Sequence, residues 1–191
     1  MNKEHVLLCV MGESSCGKDS LISKLSERTG HTAICSYTTR PRRDGEGDTH
    51  IFVDDTIYET MSSEGKIAAF TEISGYKYWT TIDQLYTNSY YIIDPSGVKF
   101  LKSLNLPNLR LVTVYINVPE EIRKERAMKR GDKLDIYRKR SLSEREQFRQ
   151  MKKNIDVDYV VSNLDFAKAF SVLKWIATAE GLFMNKEDTT E

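Results

Sequence analysis

Gly12-Glu13-Ser14-Ser15-Cys16-Gly17-Lys18-Asp19-Ser20 lies between two contrasting stretches of chain. Before it runs His5-Val-Leu-Leu-Cys-Val-Met11, a continuous apolar segment of the kind that forms a strand buried on both faces. After it, Asp19 to Arg28 carries Leu21, Ile22 and Leu25 on one side and stops at Gly30, which predicts an amphipathic helix. The quoted residues fit G-x-x-x-x-G-K, with Asp19 where Ser or Thr usually follows the lysine. A loop from buried strand to helix turns its backbone N–H groups inward, and the helix N-terminus adds partial positive charge. Gly12 and Gly17 permit the tight path, Ser14, Ser15 and Cys16 supply N–H groups, and Lys18 reaches outer phosphates. Ser20 supports an inner phosphate oxygen. Asp19 is a hard-oxygen candidate for Mg²⁺, directly or through water. Cys16 reads as a small loop filler rather than a redox switch. The stretch therefore predicts a nucleoside-triphosphate site.

Outward from this loop, apolar runs and amphipathic stretches alternate. Strands are expected at Thr32-Cys35, Ile51-Val53, Ala68-Ile73, Tyr90-Ile93, Leu109-Val118 and Val157-Ser162, and helices at about 55–63, 81–87, 97–104, 119–130, 135–153 and 165–179. Such alternation predicts an α/β protein of three layers, α/β/α, on a parallel sheet. Residues 36–89 are richer in short strands and turns and are assigned to a small inserted lobe. The core is then 1–35 and 90–181, with a helical lid at about 123–145 and a polar tail at 182–191.

Composition excludes several classes. With 191 residues, 40% hydrophobic and 29% charged, the chain suits one globular unit and not a disordered or collagen-like one. Twenty-eight basic residues balance twenty-eight acidic ones, so nucleic acid is not an expected partner. The opening apolar run, Val6 to Met11, falls far short of the roughly 20 residues of a membrane span and is too short for a secretory signal. Cys9, Cys16 and Cys35 form no metal-like pairing, and a reduced cytoplasmic setting is expected.

A second basic segment, Ser36-Tyr-Thr-Thr-Arg40-Pro-Arg-Arg43-Asp-Gly-Glu46, follows the second expected strand. Arginine forks donate paired hydrogen bonds in one plane and suit a dianionic phosphate. This segment resembles the S-x-T-T-R-x-P-R-x-G-E signature of guanylate kinases. Ser74-Gly-Tyr-Lys-Tyr78-Trp-Thr80 is similar to that family's S-G-x-x-Y-G-T, and Ile93-Asp94-Pro-Ser-Gly-Val-Lys99 to its I-D-x-x-G-V-K. Arg126-Ala-Met-Lys-Arg130-Gly131 resembles R-L-x-x-R-G, and Asp158-Tyr-Val-Val-Ser-Asn163 resembles D-Y-V-I-V-N. The matches are colinear over about residues 5–180.

The resemblance implies ATP and Mg²⁺, and phosphoryl transfer to a nucleoside monophosphate, GMP or dGMP. Arg40 and Arg43 are then expected to hold the acceptor phosphate with Tyr78, and Ser36, Thr80 and Asp94 to face the base. Asn163 is expected beside ATP, and Arg126, Arg130 and Arg140 in a lid over the triphosphate, with Arg138 as the rival to Arg140. The chain departs from the family at three places. A phosphate-contacting Tyr becomes His50, a guanine-reading Glu becomes Ala69 with Glu72 three residues on, and the first Asp of D-x-D becomes Ile92.

Residues 123–153 hold thirteen Lys or Arg against five Asp or Glu, a cationic segment in a neutral chain. The partners implied are small nucleotides, for a monomer or homodimer. Two other enzymatic readings stand: a ribose 1,5-bisphosphate phosphokinase, which Gly17-Lys18-Asp19-Ser20-Leu21 and His50-Ile51 resemble, and a broader (deoxy)nucleoside monophosphate kinase. The remaining alternative is a guanylate-kinase-like binding module.

Overall fold

The computed structural model describes residues 4–42, 50–73, 75–154 and 157–182. Arg43, Ser74 and the tail beyond Leu182 lie outside the described residues. The chain runs β1 (His5–Met11), α1 (Lys18–Thr29), β2 (Tyr37–Thr38), β3 (Ile51–Phe52), α2 (Asp55–Ser63), β4 (Ile67–Ile73), β5 (Tyr76–Thr81) and α3 (Ile82–Thr87). It continues with β6 (Tyr90–Ile92), α4 (Pro95–Ser103), β7 (Leu109–Asn117), α5 (Glu120–Lys129), α6 (Leu134–Asn154), β8 (Tyr159–Ser162) and α7 (Phe166–Ala179).

Four strands pair in the order β6-β1-β7-β8, all parallel. The period-two geometry of a strand sends alternate side chains of β1 to opposite faces. Leu8 and Val10 join Leu21, Ile22 and Leu25 of α1 and Leu173 and Ile176 of α7 in one apolar cluster. Leu7, Cys9 and Met11 join Leu85 of α3, Val98 and Leu101 of α4, and Phe148 and Met151 of α6 in the other. Burial on both faces explains why β1 is apolar throughout, and it produces the three layers expected. Among the described residues, no helix is long and apolar enough to cross a membrane.

A second sheet, β3-β2-β5-β4, spans residues 37–81 and mixes parallel and antiparallel pairs. Tyr37 stacks on Trp79 of β5 at 5.4 Å, and Tyr58 of α2 meets the same indole edge-on at 5.1 Å. Three local expectations change, the first being that Tyr37–Thr38 forms the short strand β2. Thr32–Cys35 is not a strand but a single bridge, Ala33 to Tyr90, because one pairing ends its alignment with the sheet. Residues 76–81 form the strand β5, whose Tyr, Trp and Thr side chains suit a pleated surface and whose ladder holds the second sheet together.

Asp158 immediately precedes β8. The Asp158 carboxylate accepts from Thr113 N at 2.7 Å and from Thr113 Oγ1 at 2.6 Å, while Thr113 is fully buried. Asp158→Ala would leave the Thr113 N–H and hydroxyl without these acceptors. It should therefore cost about 1–3 kcal/mol, read as a lower urea midpoint with unchanged m-value; an unchanged midpoint would show that the contact carries no stability.

Candidate active site

The phosphate loop is built by what α1 lacks. α2, α3, α4 and α7 are capped by the side chains of Asp54, Thr81, Asp94 and Asp165. At α1 the cap position is Gly17, at φ +87°, with no side-chain cap. An α-helix begins with four N–H groups that have no partner within the helix, so this end is left for an acceptor from elsewhere. Gly17 is required twice over. Its φ favours glycine, and a Cβ there would sit 2.6 Å from Asn163 Nδ2. A Cβ on Gly12 would meet Cys16 Sγ at 2.5 Å.

The loop is held from beneath. Asn163, 2% exposed, donates from Nδ2 to the Cys16 carbonyl at 2.7 Å. Arg126 donates to the Asn163 carbonyl at 2.7 Å and to the Cys16 carbonyl at 3.4 Å. Arg130 pairs with Asp132 and reaches Ser15 Oγ at 3.4 Å. Burial pushes the Cys16 thiol above its ordinary range, so it stays protonated. Glu13 points inward as well, 7% exposed, and accepts from Tyr115 OH at 2.8 Å. Lys152 lies 3.3 Å from its other oxygen and Arg123 3.9 Å. Burial first, then the Glu13 carboxylate, raise the Tyr115 phenol and keep it a donor. This cluster ties the loop to α5 and α6. It was missed in the sequence because Glu13 occupies an unconstrained position of the motif.

Across from the loop, Arg40 is 8% exposed, donates from Nε to Tyr78 OH at 3.2 Å, and lies 5.3 Å from the Phe52 ring centroid. His50 stands edge-on to Tyr78 at 5.6 Å. Ser36 and fully buried Thr80 lie behind this wall, in a hydroxyl cluster with Tyr91: Ser36 to Thr80 is 3.3 Å and Thr80 to Tyr91 is 2.5 Å. Burial lifts the Tyr91 phenol to about 12. Asp94 caps α4 through Gly97 N at 2.7 Å.

One cavity of about 850 Å³ joins these parts. Gly12, Ser14 and Lys18 line one side, Arg40, Glu72, Tyr78 and Asp94 another, and Arg140, Glu144 and Gln147 of α6 a third. Arg126, Arg130 and Asn163 are beneath or beside the loop rather than on that wall. Asp19 projects outward, its side chain 79% exposed and 3.8 Å from Lys18 Nζ. Ser20 is also exposed.

Glu144 makes the contact that sequence reading did not foresee. Its carboxylate accepts from Ser14 N at 2.8 Å and Ser14 Oγ at 2.6 Å. A phosphoryl oxygen entering this loop would need the same N–H, so the carboxylate and a nucleotide would compete for it and their charges would repel. Glu144→Ala should tighten binding of a non-hydrolysable ATP analogue about 3- to 10-fold in calorimetry, the range expected for a charged hydrogen bond shared with solvent. Unchanged or weaker affinity would mean that the carboxylate does not compete.

Comparison with known proteins accords with this geometry. The guanylate kinase family profile matches residues 4–180. A guanylate kinase of Legionella pneumophila is 29% identical over 192 residues, covering 95% of this chain and 89% of the relative. That of Coxiella burnetii is 30% identical over 191 residues, covering 95% and 90%. The crystal structure of guanylate kinase from Anaplasma phagocytophilum superposes with a TM-score of 0.63 at 20% identity, covering 96% of this chain and 89% of that one, and so shares the fold. A profile match spanning nearly every element that builds the cavity means that this chain belongs to the guanylate kinase family.

Proposed function

We infer that this chain transfers the γ-phosphoryl group of ATP to the phosphate of GMP, giving ADP and GDP. The observation that carries the reading is the shared cavity. Lys18 and the phosphate loop stand on one side of it and Arg40 with Tyr78 on another, so two phosphate groups can meet end to end. The acceptor is already an anion at neutral pH, so the step needs no strong general base. An acceptor oxygen forms a bond to Pγ as the bond from Pγ to the bridging oxygen of ADP breaks, and the electron pair leaves with ADP. Catalysis then comes from alignment and from neutralising charge between two anions.

The roles divide by position. The loop N–H groups and Lys18 would hold the β- and γ-phosphates. Arg40, Tyr78 and, by resemblance, Arg43 would clamp the acceptor phosphate, with His50 beside Tyr78. Arg140 reaches the cavity from α6, and Arg126 and Arg130 would add charge from the edge of the loop. Arg126 and Asn163 fix the path of the loop through the Cys16 carbonyl. On the base side, Asp94 accepts from N1–H of guanine, and by resemblance Ser36 and Thr80 face the base.

Magnesium binds with few protein ligands and fills its shell from phosphate and water. A single exposed hard oxygen beside the phosphate lysine fits that habit, and among the described residues no cluster of three His, Cys, Asp or Glu forms a cage. Asp19 would hold the ion, directly or through water. When bound, it supplies neutralisation of the triphosphate charge.

ADP release measured with GMP, dGMP, AMP, UMP, dTMP and ribose 1,5-bisphosphate tests the reading. GMP should be the preferred acceptor. Lys18→Ala should lower kcat by at least about 100-fold, as loss of a phosphate-neutralising cation does. Arg40→Ala should act chiefly by raising KM for GMP, about tenfold or more. Preference for ribose 1,5-bisphosphate, or near-normal kcat without Lys18, would contradict it.

A further inference from the structure

The pairing edge of guanine presents two adjacent donors, N1–H and the 2-amino group, so selecting it takes two acceptors side by side. Asp94 supplies one. Its Oδ1 already accepts from Gly97 N at 2.7 Å, Ser96 Oγ at 2.7 Å and Gln147 Nε2 at 3.0 Å, so Oδ2 is the atom left for a ligand. The nearby strand β4 adds no acid at Ala69, which is 3% exposed. The second acceptor must come from another part of the wall.

Besides Asp94, three side chains on the cavity wall carry a carboxylate or amide oxygen: Glu72, Glu144 and Gln147. Glu144 is committed to Ser14. Glu72 is exposed, and no side-chain hydrogen bond or ion pair fixes it among the described residues. Gln147 differs from both. Its Nε2 donates to Asp94 Oδ1 and, at 2.8 Å, to Ser96 Oγ. An ionised carboxylate only accepts, so the amide nitrogen must be the end that faces Asp94. Gln147 lines the cavity, and its carbonyl Oε1 has no hydrogen bond of its own among the described residues, so the amide keeps an acceptor to offer a ligand. Its backbone is held as well, since Phe148 and Met151 on the same helix are 4% and 2% exposed in the core. An acceptor positioned before the ligand arrives loses little entropy on binding.

We propose that Gln147 is a specificity-determining residue. Its Nε2 fixes Asp94, and its Oε1 accepts from the 2-amino group of the acceptor base while Asp94 Oδ2 accepts from N1–H. The proposal rests on the GMP reading above and adds to it a base contact delivered by a core-anchored helix. A neutral amide suits the place, because a second carboxylate beside Asp94 would repel both it and the nucleotide phosphates.

IMP is the discriminating probe, since it keeps N1–H and O6 but lacks the 2-amino group. Initial rates at saturating ATP should show kcat/KM for GMP above that for IMP by about tenfold or more, the scale of a hydrogen-bonded group read by a fixed acceptor. Gln147→Leu should raise KM for GMP about tenfold, leave KM for IMP within about twofold, and change kcat little with either. Binding of a non-hydrolysable ATP analogue checks that the variant is folded; if it is not, Gln147→Met carries the same comparison. Equal losses on GMP and IMP would reduce Gln147 to a support for Asp94 and overturn the proposal. So would an unaffected GMP reaction, or loss of the preference in Glu72→Gln in place of Gln147→Leu. Absence of activity with GMP in the unsubstituted enzyme would overturn the GMP reading itself, and this proposal with it.

Discussion

The start of α1 cannot satisfy its own backbone. Its first N–H groups have no partner within the helix and no side-chain cap, and Gly17 takes the left-handed conformation at that end. Everything around the loop follows from that deficit. Buried β1 delivers the chain to the spot, Asn163 and Arg126 hold the Cys16 carbonyl, and the Glu13 cluster fastens the loop to α5 and α6. Ahead of the helix, in the loop itself, the Glu144 carboxylate accepts from Ser14 N.

Helix α6 links the two halves of the cavity. Phe148 and Met151 seat it in the core, Lys152 reaches Glu13 beneath the loop, Glu144 reaches the top of the loop, and Gln147 reaches Asp94. Glu144 and Gln147 are one turn apart, a spacing that places both on one face. One helix thus touches both the phosphate loop and Asp94.

What could be read without coordinates was whatever is local. The apolar β1, the glycines that bracket the loop and the capping Asp94 each declare themselves within a few residues, and the alternation of strands and helices was sufficient for the three layers. The bridge at Ala33 and the strand β5 were missed because pairing partners, not the segments themselves, decide them. At the site, Lys18, Arg40, Tyr78 and Arg140 sit in motifs or cationic runs that draw attention. Gln147 does not. Its partner is fifty-three positions away, and a glutamine among the charges of α6 looks like surface until the fold sets it against Asp94. Ser36 and Thr80 sit in quoted motifs, but that their hydroxyls join each other and Tyr91 in one cluster is decided by the fold.

The central claim is that two anion sites face each other across one cavity. A two-substrate mimic, adenosine and guanosine joined through five phosphates, tests it most directly by titration calorimetry. The account predicts one molecule bound per chain, more tightly than either nucleotide alone, and displaced by an ATP analogue and by GMP alike. Two molecules per chain, or displacement by only one of the nucleotides, would contradict it.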